Sequence, residues 1–271
     1  MSRRLAALEE AVGSRLFERK PGGVVLTTAG REAVAAADEI DQVTAALDGR
    51  ISSVSDAQPR GMVRFTAPQW IAARFVIPFL PELKTRYPEL EVQLVGTNQI
   101  LNLAQREADL ALRNVQPSQQ SLTVRKVTSL GGCVYASQLY LQRKGTPRDR
   151  AALGGHDLLV YEGLGGMPGF EWMRETTHGG AIAFRANDPE ALLSAASAGL
   201  GLAAAPCLLG DVQPALQRVE TLGVGRCNMF LICPEELRQS PRVRAVSDFV
   251  AELLVRHRHE IDPFSKPDKK S

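Results

Sequence analysis

A few hydroxyl, amide and guanidinium side chains stand in this chain where they could grip a small anion. Thr66, Pro68, Gln69 and Trp70 follow one apolar run, Thr97 and Asn98 follow a second, and Arg113 ends a third. Tyr161 and Asn187 hold the same kind of place after two later runs. In open α/β sheets, ligands sit at the carboxyl ends of strands, against helix N-termini. There Arg113 could take a carboxylate through two parallel hydrogen bonds, and Trp70 would supply an apolar or stacking wall. Taken singly, the residues have plainer uses: Thr66, Thr97 and Asn98 as helix caps, Arg113 as the partner of a nearby acid. As a set they suggest a cleft for an anionic organic metabolite.

Bond-making chemistry has less to work with. The chain lacks a G-x-S-x-G elbow, a G-x-x-x-x-G-K-S/T phosphate loop and an H-E-x-x-H zinc pair. His257 and His259 are close in sequence, but residues two apart point to different sides of a helix. His156 and His178 stand alone in expected loops. The Gly-rich run from Gly163 to Gly169 contains Pro168 and no lysine, so it reads as a flexible loop. Gly199-Leu200-Gly201 ends a helix instead of following a strand; Gly199 is better read as a C-cap than as part of a dinucleotide fingerprint. Asp188 and Glu190 are acids in a first helical turn, where the helix dipole favours them. Cys133, Cys207, Cys227 and Cys233 form no C-x-x-C pair and read as reduced, mostly buried thiols, with a redox pairing of Cys227 and Cys233 as the alternative. No metal or cofactor is implied, and the chain is not expected to be an enzyme.

A second candidate surface lies at the front. Up to residue 31, six cations (Arg3, Arg4, Arg15, Arg19, Lys20 and Arg31) face three acids, Glu9, Glu10 and Glu18. The whole chain carries only +2, so the basic surplus is concentrated where phosphate contact would need it. Leu5, Leu8 and Val12 recur at helical spacing, and Gly13 suits the left-handed residue past the helix end. Leu16-Phe17 and Val24-Val25-Leu26 flank Lys20-Pro21-Gly22-Gly23, the pattern of a hairpin. Thr27 or Thr28 would cap a following helix, although Arg31 stands where a capping box wants Glu or Gln.

At 271 residues and 44% hydrophobic side chains, the chain can bury more than one core. It has neither an apolar run of membrane-spanning length nor a signal-peptide pattern. From Thr28 to about Ser55, Ile40, Val43, Leu47, Ile51 and Val54 form a narrow stripe that needs a partner. Beyond Gly61, strands and helices alternate. The expected strands are Met62–Ala67, Leu90–Val95, Ala108–Arg113, Leu122–Val127, Cys133–Ser137, His156–Tyr161, Ala181–Arg185, Leu202–Ala204 and Met229–Cys233. Helices are expected over Phe75–Arg86, Ile100–Arg106, Pro189–Ala198 and Pro241–His257, the last with Val243, Val246, Val250, Leu253 and Leu254 on one face. Such alternation argues a parallel sheet, and the break at Gly131-Gly132 argues two lobes.

SRR-L-ALEE-G-RLFER-PGG-LT-AG, over residues 2–30, resembles the end of the recognition helix, the wing and the start of the linker helix of LysR-type transcriptional regulators. MVRFTAP, READLALR and AASAGLGLAAAP resemble the effector domain of the same family. The resemblance implies an α/β, two-lobed type 2 periplasmic-binding-protein-like effector domain preceded by a partial winged helix-turn-helix and a long linker helix. It implies a partial DNA-binding module over 1–27, a dimerising linker over 28–57 and an effector domain over 59–262. Lobe one would take about 59–130 and 233–262 and lobe two about 134–228, with hinge strands near Ser129–Cys133 and Met229–Cys233. Residues 263–271 would form a disordered tail. The implied partners are promoter DNA for an intact relative, a small-molecule effector, a second copy in a dimer or tetramer, and indirectly RNA polymerase, all in the cytoplasm.

In that alignment Met1 stands inside the recognition helix, so about 20–30 residues of the family's module, two helices and a turn, would precede it. Bases are read by the first turns of a recognition helix. Ser2, Arg3, Arg4 and wing residues Arg19 and Lys20 are left for phosphate contact, which positions a protein but reads little sequence. The alternative is a stand-alone effector-binding or interaction protein. A gel shift with this 271-residue chain is expected to show no tight, sequence-specific retardation of operator DNA.

Overall fold

The computed structural model describes residues 3–20, 23–34, 36–37, 58–97, 103, 107–117, 121–163, 166–174 and 179–265. Ser2, Asn98, His178, the linker stripe beyond residue 37, most of the expected Ile100–Arg106 helix and residues 266–271 lie outside them. The chain divides into two compact units, residues 1–57 and 58–271.

In the first unit one glutamate joins helix to hairpin. Helix α1 (Arg3–Val12) ends at Gly13, whose φ of 68° lets the Gly13 and Ser14 amides bond back to the Glu10 and Glu9 carbonyls, both at 3.2 Å. The Glu9 carboxylate then accepts from the amides of Leu16 (2.7 Å) and Phe17 (3.2 Å), the point where the chain enters the wing. Strands β1 (Phe17–Lys20) and β2 (Gly23–Leu26) pair antiparallel, Phe17 opposite Leu26 and Lys20 opposite Gly23. Thr27 caps the helical residues that follow: its hydroxyl accepts from the Gly30 amide (2.9 Å) and donates to the Arg15 carbonyl (2.6 Å). Arg31, the wrong residue for a capping box, instead reaches back to the Leu26 carbonyl at 3.1 Å and the Thr28 hydroxyl at 3.2 Å. Any side chain at position 30 would collide with the Leu16 carbonyl, which lies 2.0 Å from where a Cβ would stand.

The second unit opens with β3 (Gly61–Ala67), an irregular helical stretch, then α2 (Leu80–Arg86), β4 (Leu90–Gly96) and β5 (Leu110–Arg113). The long β6 (Leu122–Ser137) leads to α3 (Gln138–Lys144), β7 (Asp157–Tyr161), β8 (Ala181–Ala186), α4 (Pro189–Ser197), β9 (Leu202–Pro206), α5 (Cys207–Gly210) and β10 (Leu216–Arg218). The chain returns through β11 (Val224–Pro234) and closes with α6 (Pro241–Arg256) and α7 (Arg258–Ile261). Spatial order is β4-β3-β5-β11-β6-β9-β7-β8, with β10 on β6. β3 runs parallel to β4 and β5, and β7 parallel to β8 and β9. The parallel expectation therefore fits each lobe, but β6 and β11 are antiparallel to each other and pass from lobe to lobe.

Gly131-Gly132, read from sequence as a break between two strands, lies inside continuous β6. A Cβ at Gly131 would stand 3.1 Å from a carboxylate oxygen of Asp262, and one at Gly132 would stand 3.2 Å from the Ala205 carbonyl. Close approach of neighbouring chain, not a turn, asks for these glycines. Residues 263–265, expected in a disordered tail, fold back here, with the Phe264 ring beside Gly131 and the Arg218 guanidinium 5.2 Å above it.

Each lobe has its own apolar core. Leu103, Ala108, Ala111 and Ile232 cluster in lobe one. Val134, Tyr140, Leu158, Phe170, Trp172 and Leu202 cluster on one side of lobe two, while Leu159, Leu192, Ala196 and Ala203 cluster under α4. The stripe on α6 is buried as its spacing predicts, from Val243 to Leu254. Gly199 closes α4 at φ 83°, its own amide bonding to the Ala196 carbonyl and that of Leu200 to Ala195, as the C-cap reading requires.

His156 is 5% exposed, with Nδ1 3.3 Å from the Tyr140 hydroxyl. Burial, reinforced by the Lys144 charge against the opposing pull of Asp157, holds it below the ordinary histidine value of 6.5. As pH falls through that value, the unfolded chain takes up a proton that the folded chain refuses, so stability is lost on acidification. The melting temperature is expected to fall between about pH 7 and pH 5, and to fall less steeply for His156→Gln.

Candidate functional site

Adjacent strands bring the first two candidates together. Thr66 pairs across β3 with Val95 on β4 and Ala111 on β5, two residues short of Arg113. The Thr66 hydroxyl donates to the Val95 carbonyl (2.9 Å) and accepts from Arg113 Nη2 (2.8 Å); Arg113 Nη1 donates to the Leu112 carbonyl (2.9 Å). Thr66 is fully buried and is no helix cap; Arg113 is 8% exposed. Burial pushes the guanidinium down to about 10. Arginine keeps its proton at any ordinary pH, so the shift expresses the cost of holding a cation away from water. An anion arriving beside it would recover part of that cost.

Pro68 is extended and precedes a distorted helix: Gln69–Ile71 is α-helical, Ala72–Val76 a π-turn and Ile77–Phe79 a 3₁₀ turn. The expected Phe75–Arg86 helix thus starts earlier but is regular only from Leu80. Pro78 lacks the N–H that would continue the ladder, which accounts for the irregular turns. Gln69 is exposed and Trp70 is 6% exposed. The Thr97 amide donates to the Ala67 carbonyl at 3.0 Å, drawing the ends of β3 and β4 together.

On lobe two, Tyr161 and Ala186 pair at the carboxyl ends of β7 and β8. Arg174 donates to the Tyr161 carbonyl through Nε (3.1 Å) and Nη2 (2.7 Å). Burial, with the Asp188 charge second, raises the Tyr161 phenol, which keeps it a neutral donor. Asn187 is exposed and immediately precedes Asp188, whose carboxylate caps α4.

The two lobes touch through a pair that sequence reasoning missed. Arg74 Nε lies 3.1 Å from Glu190 Oε1, with the side chains 52% and 40% exposed. Arg74 sits four residues beyond Trp70, and Glu190 three beyond Asn187. The pair therefore sets the Pro68–Trp70 segment against the start of α4. Glu190 had been read only as an acid in a first turn; nothing in one sequence marks a contact between residues so far apart.

The cysteines are buried or half-buried. Cys227 and Cys233 lie six residues apart on the single strand β11, about 20 Å at strand rise, far beyond disulfide reach. The suggested redox pairing is excluded. Among the described residues no group of three or more His, Cys, Asp or Glu could hold a metal ion, and no helix is long and apolar enough to cross a membrane.

In the first unit, Arg3 and Arg4 open α1, while Arg19 and Lys20 end β1 at the hairpin tip. Leu8 and Val12 on α1 are 49% and 50% exposed, whereas Leu16 at the entry to the wing is 3% exposed.

Residues 56–255 match the LysR substrate binding domain, and residues 1–31 match the bacterial regulatory helix-turn-helix protein of the lysR family. An HTH-type transcriptional regulator of Xanthomonas campestris pv. campestris (strain 8004) is 31% identical over 272 residues, covering 94% of this chain and 77% of the relative. CrgA of Neisseria meningitidis serogroup C (strain 8013) is 29% identical over 161 residues, covering 59% of this chain and 54% of CrgA. The solved structure of CrgA, a LysR-type transcriptional regulator from Neisseria meningitidis, superposes with a TM-score of 0.62 at 25% identity, covering 93% of this chain and 88% of that one. The full-length Vibrio cholerae virulence activator AphB shares the fold, with a TM-score of 0.59 at 21% identity over 92% of this chain and 88% of its own. These relatives are regulators of transcription, not enzymes. On the sequence matches at both ends and the shared two-lobed architecture, the chain belongs to the LysR family of transcriptional regulators.

Proposed function

We propose that the second unit senses a small organic monoanion between its lobes, with Arg113 as the clamp. The observation that carries this reading is Arg113 itself: a cation 8% exposed, at the carboxyl end of a strand, held by a hydroxyl and a carbonyl. Burial makes a cation costly to hold, and an incoming carboxylate would offset part of that cost. Thr66 orients it; Gln69, the Pro68 turn, Thr97 and the neighbouring Asn98 supply polar groups on lobe one, and Trp70 gives apolar support. Tyr161 and Asn187 complete the contact from lobe two.

A ligand bridging both sides binds the closed arrangement better than the open one and so shifts the population toward it. The movement is carried by β6 and β11, whose pairing has a register irregularity between Met229 and Phe230. The Arg74–Glu190 pair is too exposed to hold the lobes shut alone, since pairs of this kind contribute about 0–1 kcal/mol. The ligand, not the ion pair, decides closure. LysR-type regulators bind promoter DNA and small-molecule effectors and form oligomers; here Ser2, Arg3, Arg4, Arg19 and Lys20 are the proposed phosphate contacts, and effector-driven closure re-angles paired subunits on the promoter.

A melting-temperature screen of small carboxylates is expected to find a ligand that stabilises the chain without turnover. For the best ligand, Arg113→Ala should weaken binding at least about thirtyfold, the effect of removing one partner of a buried charge pair (roughly 2–5 kcal/mol). An unchanged affinity would remove Arg113 from the site. Glu190→Gln should move the melting temperature by less than about 4 °C. If the chain binds duplex DNA measurably, Arg19→Ser with Lys20→Ser should lower the slope of log affinity against log salt by about two.

A further inference from the structure

The ribbon of β6 and β11 is anchored in one lobe at each end. β11 pairs with β5 over Phe230–Ile232, on the lobe-one side, and β6 pairs with β9 over Gly132–Tyr135, on the lobe-two side. Between these anchorages, among the described residues, the two strands pair only with each other. Where the ribbon enters lobe two, Gly132 stands opposite Gly225. Two facing glycines make no cross-strand side-chain contact and leave both backbones at their freest. Left bare, this rung would be the softest point of the ribbon.

An aromatic ring covers it. Phe170 Cε2 stands 3.3 Å from where a Cβ of residue 132 would be, and 2.4 Å from where one of residue 225 would be. The loop backbone comes down with the ring. A Cβ on Gly225 would also stand 2.3 Å from the Pro168 carbonyl, and one on Gly169, at φ 86°, 2.7 Å from the Gly225 Cα. Side chains at 132 and 225 would hold the ring off; the glycines let it rest on the main chain. Phe170 is 2% exposed and also meets Trp172, their ring centroids 6.5 Å apart. The next rung, Gly131 opposite Arg226, is held separately by Asp262.

The loop that carries the ring is tied to the lobe-two wall of the cleft. Phe170 runs into the 3₁₀ turn Glu171–Arg174, with the Met173 amide bonding back to the Phe170 carbonyl at 3.0 Å. At the end of that turn Arg174 holds the Tyr161 carbonyl through Nε and Nη2. Its Nη2 also stands 3.6 Å from where a Cβ of Gly166 would be, so one guanidinium braces both ends of the loop. Tyr161, Arg174, Phe170 and the Gly132–Gly225 rung form a continuous chain of contacts from the carboxyl end of β7 to the crossing strands.

We propose that Phe170 is a positioning residue that couples the Tyr161 wall of the cleft to the bend of the ribbon. A displacement of Tyr161 carries Arg174 and the 3₁₀ turn with it. The ring then shifts on the glycine rung, and the strands lose or regain the contact that fixes their twist there. Its use in sensing rests on the closure reading proposed above; the chain of contacts does not.

Amide hydrogen exchange of the ligand-free 271-residue chain, read on peptides spanning 128–136 and 222–230, tests this coupling. Phe170→Leu keeps an apolar side chain and removes the flat ring. It should speed exchange in both peptides about tenfold and leave peptides from α4 and β3 unchanged. Among the described residues Arg174 bonds to neither strand, yet Arg174→Gln should speed exchange in the same peptides about threefold. In the Phe170→Leu background it should add nothing. Unaltered exchange in the ribbon would overturn the proposal, and so would equal acceleration in α4, which would make Phe170 core packing alone. An Arg174→Gln effect that persists undiminished without the ring would overturn it too. If Phe170→Leu does not fold, Arg174→Gln decides: faster exchange in the ribbon supports the coupling and unchanged exchange refutes it. A carboxylate screen without a hit would remove the clamp at Arg113 and leave these results standing, so the two readings fail separately.

Discussion

The pairing of β6 with β11 is the constraint on which the second unit rests. Both lobes have separate apolar cores, and among the described residues this antiparallel ribbon joins them covalently, with the Arg74–Glu190 pair as a further contact. It runs from Val224 opposite Cys133 to Pro234 opposite Leu122, with a single register change. A ribbon paired along its length can bend or twist as a unit while each lobe stays rigid, because bending costs no core contact in either lobe. Bending of this ribbon is the movement that the proposed sensing of a small ligand would use.

Electrostatics supplies the asymmetry. Arg113 is a desolvated cation that bonds the Thr66 hydroxyl and the Leu112 carbonyl, whereas Arg74 and Glu190 form a solvated pair. The first interaction is costly without a ligand and favourable with one. The second is nearly indifferent to both states. In the proposed reading, sensitivity to an anion would come from the buried group and ease of opening from the exposed one.

Sequence reasoning reached the family, the alternation of strands and helices, and the buried face of α6, because each depends on local spacing or on a run of matched residues. It placed Thr66 and Arg113 at strand ends, yet could not show that the hydroxyl and guanidinium bond each other across 47 positions. It took Gly131-Gly132 as a gap between two strands because a glycine pair looks the same whether it makes a turn or makes room. The reason for room, Asp262 and Phe264 packed against β6, lies more than a hundred residues away. The Arg74–Glu190 contact was invisible for the same reason, since it joins residues 116 positions apart. The irregular turns after Pro68 were missed for a local one, the weight given to helical periodicity over two prolines.

Asp262 is 1% exposed and receives the Arg226 guanidinium, through Nε at 2.9 Å and also through Nη2, while its other oxygen accepts the Phe264 amide. The end of α7 is thereby tied to the crossing strand β11. A fluorophore or affinity handle on Ser265 itself would sit beside the crossing strands that the proposed closure would bend. It would swing little in distance yet load the joint directly, whereas the same label on α3 would report motion and leave the joint alone.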